Sequence, residues 1–237
     1  MEINRSNINE IVKKSNASPD KDYGQNFLIE PNLSSQIVEL LGAQKDDMVL
    51  EVGPGLGSLT HYLCGTCKLD VCDIDERMIN FLEVIYPQDV GFILNDVRKI
   101  DVSKYDKIIA NLPYNITSEL VTFLLMNATD CQKMVLMCQQ EAFNHFYDVE
   151  GKEYGPISVL LHLLGDSKKL LTLKPGSFFH QYHIHQVYMF HIDSESNFQV
   201  LAQLLKPYLL FVRLTIPRFE NLNLVQSKSS GHSLCLD

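Results

Sequence analysis

The sequence of 237 residues predicts an α/β fold built on a parallel sheet. Short apolar runs of strand length alternate with longer segments whose apolar residues recur at helical spacing, which is typical of parallel sheets covered by helices. Glycines or acidic residues follow several of the apolar runs. Ligands of such sheets bind beyond the carboxyl ends of the strands, so the sequence also predicts which edge of the sheet carries a site.

The predicted elements follow one another along the first two thirds of the chain. Residues 1–20 are expected to form a loose or partly helical arm. Residues 31–43 carry apolar residues at helical spacing, and Gly42 is a stop signal. The further elements are, in order, strand 48–53, helix 56–66, strand 68–75, helix 76–86, strand 91–96, a strand and its loop over 105–114, helix 118–127, and a strand followed by a helix over 131–146.

A change of pattern follows residue 150. Residues 151–164 begin with a Gly/Tyr/Pro loop and continue apolar, residues 186–192 alternate as a late strand, and residues 197–209 are predicted to be helical until Pro207. Residues 211–237 show little periodicity. We therefore expect an N-terminal arm (1–20), a main domain (21–195) and a reduced C-terminal segment (196–237).

The composition is that of a globular protein, with 46% hydrophobic and 21% charged residues. Neither an apolar run near the ~20 residues of a membrane span nor the apolar centre of a signal peptide is present, so a cytoplasmic protein is expected. The six cysteines are expected to be free thiols. Cys64 and Cys67 have no matching second pair at zinc-ligand spacing, so no metal site is predicted.

The net charge of −9 and pI of about 5.3 argue against a nucleic-acid partner, because phosphate contacts need Lys and Arg. Only a favourable distribution of the basic residues could support such a partner. The basic clusters are few: Lys13–Lys14, Arg98–Lys99 and Lys168–Lys169.

A glycine-rich turn follows the strand at 48–53. VLEVGPGLGSLT (49–60) places Gly53, Gly55 and Gly57 between this strand and a helix, where small residues let a ligand approach the backbone. Asp73 ends the second strand and could bind both hydroxyls of a ribose, and Asp96 ends the third and could accept an amino hydrogen of adenine. This pattern favours an adenosine ligand without phosphates, S-adenosylmethionine rather than NAD. A glycine turn could alternatively serve only close packing of helix on strand.

The segment NLPYNIT (111–117) follows the fourth strand directly. An adenine amine that attacks a methyl sulfonium gains positive charge, which acceptors placed at that amine stabilise in the transition state. Asn111 offers its side-chain oxygen and Leu112 its carbonyl, while Pro113 stiffens the backbone. Tyr114 can stack on a flipped-out base. Alternatively, NLPY could be only a proline turn that is capped by Asn111, with Tyr114 packed in the hydrophobic core.

With these motifs the chain resembles the rRNA adenine N6-dimethyltransferase family over about residues 22–178. The matching motifs are DYGQNFL (22–28), VLEVGPGLGSLT, CDID (72–75), ILNDV (93–97), NLPYNIT, CQQEAF (138–143) and EYGPISV (153–159). EYGPISV and LKPGSF (173–178) resemble the small-subunit branch, whose members dimethylate two adjacent adenosines near the 3′ end of 16S-type rRNA.

The resemblance implies a Rossmann-like methyltransferase sheet with a short, atypical C-terminal appendage. It also implies action on rRNA of the small ribosomal subunit precursor, and we expect a monomer. The residues that the resemblance assigns to S-adenosylmethionine are Asn26, Leu28, Gly53, Asp73, Asp96 and Asn111, and it implies that Tyr114 faces the target base. The glycine turn adds Gly55 to the predicted cofactor site, and the NLPY argument assigns Asn111, Leu112, Pro113 and Tyr114 to the methyl transfer.

The sequence departs from the family at several places. Asp73 stands where members usually carry Glu, FHQYHIHQV (179–187) replaces a Pro-x-Pro-Lys run, and the basic Arg-Arg-Lys segment of the C-terminal helical domain is missing. Two other functions therefore stay open: a catalytically weak RNA-binding or ribosome-assembly protein that keeps the fold, and a 23S rRNA methyltransferase of the macrolide-resistance type.

Overall fold

The computed structural model describes residues 1–16, 25–142, 165–179 and 185–192, together with Ser158. Over these residues the strands form one seven-stranded sheet in the order β3-β2-β1-β4-β5-β7-β6. The strands are β1 Met48–Val52, β2 Lys68–Asp73, β3 Val90–Leu94, β4 Lys107–Asn111, β5 Lys133–Gln139, β6 Gly165–Leu173 and β7 His185–Ile192. The first five are parallel, and β7 pairs antiparallel with both β5 and β6.

Helices connect the parallel strands and cover the sheet. They are α1 Ile8–Ser15, α2 Pro31–Leu41, α3 Thr60–Leu63, α4 Glu76–Ile85 and α5 Thr117–Asn127, with short 3₁₀ turns at Val97–Lys99 and Pro175–Ser177. Proline at the first position begins α2, and Gly42 ends it in the left-handed conformation. The side chain of Asp75 caps α4 by accepting from the backbone N–H of Arg77.

Alternate residues of the strands face two separate hydrophobic clusters. Ile108 packs in a cluster with α5, whereas its neighbour Ile109 packs with residues of α2, α3 and α4. Because both faces of the central strands β1, β4 and β5 are buried, these strands are nearly continuous apolar runs. These runs made the parallel part of the sheet predictable, and the structure confirms it together with the late strand β7.

The N-terminal arm is helical in part, as expected, but its apolar residues are buried rather than loose. Ile3, Ile8 and Ile11 form a third cluster with residues that include Phe27 and Leu56. This cluster places the arm beside the glycine-rich turn that follows β1.

Two expectations need correction. The helix predicted over 56–66 is only the single turn α3, because Gly55 and Gly57 hold the preceding chain in positive-φ turns and Gly65 follows closely. Strand β6 was not predicted, because its polar sequence GDSKKLLTL lacks a strand pattern and it lies at the edge of the sheet.

Some predicted features lie outside the described residues. They are most of the helix after β5, the loop and apolar run over 151–164 except Ser158, the helix at 197–209 and the segment 196–237. No helix among the described residues is long and apolar enough to cross a membrane.

Candidate active site

A cavity of about 360 Å³ opens at the carboxyl ends of β1 and β4. The chain runs outward through β2 and β3 on one side of β1 and continues with β4 and β5 on the other side. The cavity therefore lies where the strand order reverses, which is where open α/β sheets bind their ligands. Its lining includes the glycine turn after β1, the ends of β2 and β3, and the start of NLPYNIT.

The glycine turn forms a cradle that side chains would fill. Gly53 and Gly55 have φ of 67° and 54°, and the Gly53 N–H donates to the Cys72 carbonyl at 2.9 Å. A Cβ atom added to Gly55 would lie 3.1 Å from the Phe27 ring. The backbone is thereby exposed to a ligand at a position that favours glycine.

Glu51 is a buried acid beside this turn, on β1. Only 1% of its surface is exposed, and the Thr60 hydroxyl donates to its Oε2 atom at 2.7 Å. Burial and, to a smaller extent, the charge of Asp73 raise the pKa of Glu51 to about 7. The hydrogen bonds from Thr60 act in the opposite direction. Glu51 can therefore change its protonation near neutral pH when a charged ligand enters.

Asp73 ends β2 and faces the same cavity. The backbone N–H of Asp75 donates to its Oδ1 atom at 2.9 Å, which fixes the carboxylate. Burial raises the pKa of Asp73 to about 6, although backbone N–H groups of the loop oppose the shift. The carboxylate can accept from two neighbouring hydroxyls, as a ribose presents them.

Asp96 lines the cavity at the end of β3 and is held by Arg98. The Arg98 Nε atom lies 2.9 Å and 3.1 Å from the two carboxylate oxygens, and its backbone N–H donates to Oδ1 at 2.9 Å. Burial would raise the pKa of Asp96, but the hydrogen bonds and charge of Arg98 outweigh burial and lower it. Asp96 is therefore an ionised acceptor with a fixed orientation.

Asn111 ends β4 and its side chain is oriented by the segment that precedes α2. Its Nδ2 atom donates to the backbone carbonyl of Asn26 at 2.7 Å. Since the amide group is planar, this contact directs the Oδ1 atom of Asn111 away from Asn26, where it can accept a hydrogen bond from a ligand. The Leu112 N–H donates to the Met137 carbonyl at 2.9 Å, which holds the NLPY backbone on the sheet.

A second segment holds the residues around Asn26 in place. Leu28 forms an isolated antiparallel bridge with Phe178, and the Ile29 N–H donates to the Ser177 carbonyl at 2.9 Å. The Phe179 N–H donates to the Phe27 carbonyl at 2.9 Å. The GQNFL and LKPGSF motifs are therefore joined as a short two-stranded contact at the cavity wall.

The structure brings most of the predicted site residues to one cavity. Those that line it are Asn26, Leu28, Gly53, Gly55, Asp73, Asp96, Asn111 and Pro113. Leu112 is buried and lies outside the lining, as does Tyr114, whose surface is 47% exposed.

Sequence reasoning gave no role to Glu51 or Arg98, which also line the cavity. The acid within the apolar run MVLEV was a usable signal for Glu51. In the sequence, Arg98 stands out only as part of the basic pair Arg98–Lys99.

The charges of the lining indicate the kind of ligand. Among the described residues that line the cavity, three are acidic (Glu51, Asp73 and Asp96) and Arg98 is the one Lys or Arg. Since Arg98 is engaged by Asp96 and Glu119, it offers little to a pyrophosphate. The cradle and its acids fit a cationic adenosine derivative such as S-adenosylmethionine. Among the residues that the structure describes, no three His, Cys, Asp or Glu side chains lie together so that they could hold a metal ion.

Fold and cavity define the class: the chain has the Rossmann-like fold of methyltransferases, with a site for S-adenosylmethionine. The family model of ribosomal RNA adenine dimethylases matches residues 16–187, and the chain belongs to this family. The ribosomal RNA small subunit methyltransferase A of Malacoplasma penetrans is 35% identical over 175 residues, which cover 71% of this chain and 64% of the relative.

Solved structures agree with this assignment. A dimethyladenosine transferase from Plasmodium falciparum superposes with a TM-score of 0.67 at 26% identity, over 76% of this chain and 69% of that one. The 23S rRNA methyltransferase ErmE gives a TM-score of 0.64 at 21% identity, over 72% of this chain and 71% of that one, which shows the shared fold. The chain spans between 57% and 64% of the length of several of the curated relatives that it matches.

Proposed function

We propose that this chain is an S-adenosylmethionine-dependent adenine N6-dimethyltransferase that modifies two adjacent adenosines near the 3′ end of small-subunit rRNA. The observation that carries the proposal is the orientation of Asn111, whose amide nitrogen is held by the Asn26 carbonyl at the rim of the cavity. The names of relatives such as that of Malacoplasma penetrans support the small-subunit substrate. We further propose that the protein acts in the cytoplasm, as a monomer.

The residues at the end of β4 stabilise the reacting amine. When bound, S-adenosylmethionine would supply a methyl group on a positively charged sulfur, with S-adenosylhomocysteine as the leaving group and the proton displaced from N6 passing to water. The Asn111 amide oxygen and the Leu112 carbonyl accept from N6, whose positive charge grows along this path. Tyr114, about half exposed and next in the chain, provides a ring on which an extruded base can stack.

The acids around the cavity bind the cofactor. Asp73 is proposed to accept from both ribose hydroxyls, and Asp96 from the adenine amino group. Glu51, in its ionised form, stabilises the cationic end of the cofactor. Gly53 and Gly55 leave room for it against the backbone.

Methyl transfer to purified small-subunit particles that lack the modification tests this proposal. We expect the full chain to transfer radiolabelled methyl groups and to produce N6,N6-dimethyladenosine, identified by nucleoside mass spectrometry. The Asp73→Ala, Asp96→Ala double variant should lose both cofactor binding and transfer.

Other outcomes would support the other functions. Cofactor binding without transfer to any rRNA would contradict the enzyme and favour a ribosome-assembly protein. Transfer to large-subunit RNA alone would favour the macrolide-resistance type.

A further inference from the structure

Arg98 joins two acids that come from different elements. It lies in the 3₁₀ turn Val97–Lys99 after β3, and its guanidinium pairs with Asp96 and also donates through Nη1 to Glu119 of α5. The side chains of Arg98, Asp96 and Glu119 are 22%, 19% and 16% exposed. The network thus reaches from the adenine end of the cavity to the helix that follows NLPY.

The geometry leaves Asp96 one defined way to bind a ligand. Oδ1 accepts from both the backbone N–H and the Nε atom of Arg98, and Oδ2 accepts from Nη2 and, at 3.1 Å, from Nε. A carboxylate has about four lone-pair positions, and Arg98 offers it three protons. The Nε proton is shared between the two oxygens but lies nearer to Oδ1. One acceptor position on Oδ2 therefore remains, and the planar Arg98 fork sets its direction.

We propose that Arg98, anchored on Glu119, is a positioning residue that aims the Asp96 carboxylate at the amino group of the cofactor adenine and so selects adenine over a purine with oxygen at that position. This inference rests on the proposed function, since it assumes an adenosine cofactor. Because the Asp96 carboxylate cannot rotate, it needs a hydrogen-bond donor on the ligand, which the adenine amino group provides. A carbonyl oxygen in the same place would be repelled by the carboxylate.

A matched ion pair in the same chain provides the control. Asp75 caps α4, and Arg77, two residues later, contacts it through Nε at 2.9 Å and Nη2 at 2.7 Å. The spacing and pairing therefore repeat those of Asp96 and Arg98. Neither Asp75 nor Arg77 lines the cavity, so loss of Arg77 removes a comparable ion pair without touching the proposed adenine contact.

The experiment measures the affinity of the full chain for two probes by calorimetry, S-adenosylhomocysteine and S-inosylhomocysteine, which carries oxygen in place of the adenine amino group. We expect Arg98→Met to weaken binding of the adenine probe by about tenfold, the size of one lost hydrogen bond to a charged group. Binding of the inosine probe should change little, so the selectivity between the probes falls.

Two further variants should disturb the positioning of Asp96 only in part, and a third serves as the control. Arg98→Lys keeps the charge but not the fork, and Glu119→Gln removes the anchor but not Arg98, so each should lose roughly two- to fivefold in selectivity. Arg77→Met should leave selectivity unchanged.

Equal losses for both probes in Arg98→Met, or unchanged selectivity in Arg98→Met and Glu119→Gln alike, would overturn the inference. The same holds if Arg77→Met lowers selectivity as much as Arg98→Met does. If Arg98→Met does not fold, as judged by circular dichroism, the lysine and glutamine variants decide. A wild-type chain that binds neither probe would refute the proposed function, and the inference with it, whereas a selective wild type with unaffected variants refutes the inference alone.

Discussion

Asn111 is the residue whose loss should separate binding from chemistry. In the proposed function its amide oxygen faces charge that develops only in the transition state, so Asn111→Ala should lower methyl transfer by about 10²–10³. Cofactor affinity should fall much less. Single-turnover methylation and calorimetry, performed on the same preparation, measure the two effects.

Asn127 offers a matched control, because it is also an asparagine whose Nδ2 atom donates to a backbone carbonyl, that of Phe123 in α5. It does not line the cavity, so Asn127→Ala should keep near-normal transfer. An Asn111→Ala variant with near-normal transfer would exclude the proposed role of NLPY.

Glu51 should make the stability of the cofactor-free protein depend on pH. Its pKa is raised by burial from 4.5 to about 7, so between these values the folded protein binds more protons than the unfolded chain. Stability should therefore fall as pH rises through this window, by up to about 3 kcal/mol from this group alone. Asp73, whose pKa is raised from 3.8 to about 6, contributes in the same direction at lower pH.

Chemical denaturation at several pH values from about 5.5 to 8 measures this dependence. The Glu51→Gln variant should show a flatter profile above about pH 6.5, where Asp73 is mostly ionised. Equal slopes for Glu51→Gln and the wild type in that range would mean that Glu51 is not the titrating group.

At the scale of elements, an added methyl group should weaken cofactor binding in the glycine turn after β1 but not at Gly65, which follows α3. Gly55 and Gly65 both have positive φ, of 54° and 78°, so alanine should cost about 1 kcal/mol of stability at either position. Only at Gly55 would the methyl group approach the Phe27 ring, at 3.1 Å, within the cavity; at Gly65 nothing lies within 4 Å. Gly55→Ala should therefore also lose cofactor affinity, about tenfold or more.

Urea unfolding and calorimetry on the two alanine variants check this expectation. The comparison is internal, since Gly65→Ala carries the same backbone cost. Equal cofactor affinity in both variants would show that the turn does not hold the ligand.

The elements differ in how far the sequence could predict them. The central parallel strands β1, β4 and β5 are apolar because both of their faces are buried, and burial leaves a pattern in the sequence. Strand β6 has a neighbour on one side only and carries Lys168 and Lys169, which are exposed. Its hydrogen bonds to β7 are made by the backbone, which any sequence can supply, so its residues carried little signal.

The site shows the same division. Glycines and acids at strand ends were predictable, because backbone conformation and ligand chemistry restrict those positions to few residue types. The contact from Asn111 to Asn26 and the pairing of Arg98 with Glu119 join residues of different elements. Such contacts depend on how the elements pack, and a single sequence does not record packing.

At the scale of the whole molecule, net charge bears on the proposed binding of RNA. The charge of −9 opposes binding to phosphate, and the match to the Malacoplasma penetrans relative covers 64% of that protein. We expect a chimera in which the C-terminal part of this relative replaces the residues after Pro207 to methylate small-subunit particles more efficiently. The gain should appear in kcat/KM for RNA, by about tenfold, and should decrease as salt rises.

Cofactor affinity should be the same in the chimera and the original chain, because the cavity is lined by residues that precede the exchange. Filter binding at several salt concentrations, alongside methyl transfer, measures the gain. If the chimera is no more active, and limited proteolysis leaves 211–237 uncut in the original chain, then this segment already serves RNA binding.

The bridge between Leu28 and Phe178 has a consequence for the order of events during synthesis. The two residues are about 150 positions apart, yet their contact holds the segment whose Asn26 carbonyl orients Asn111. A nascent chain can assemble β1 to β4 early from neighbouring elements, but this wall of the cavity must wait until LKPGSF has left the ribosome. The complete cavity wall, and with it the proposed methyl transfer, should therefore arise late, when the edge strands join the sheet, so an incomplete chain should lack a finished site.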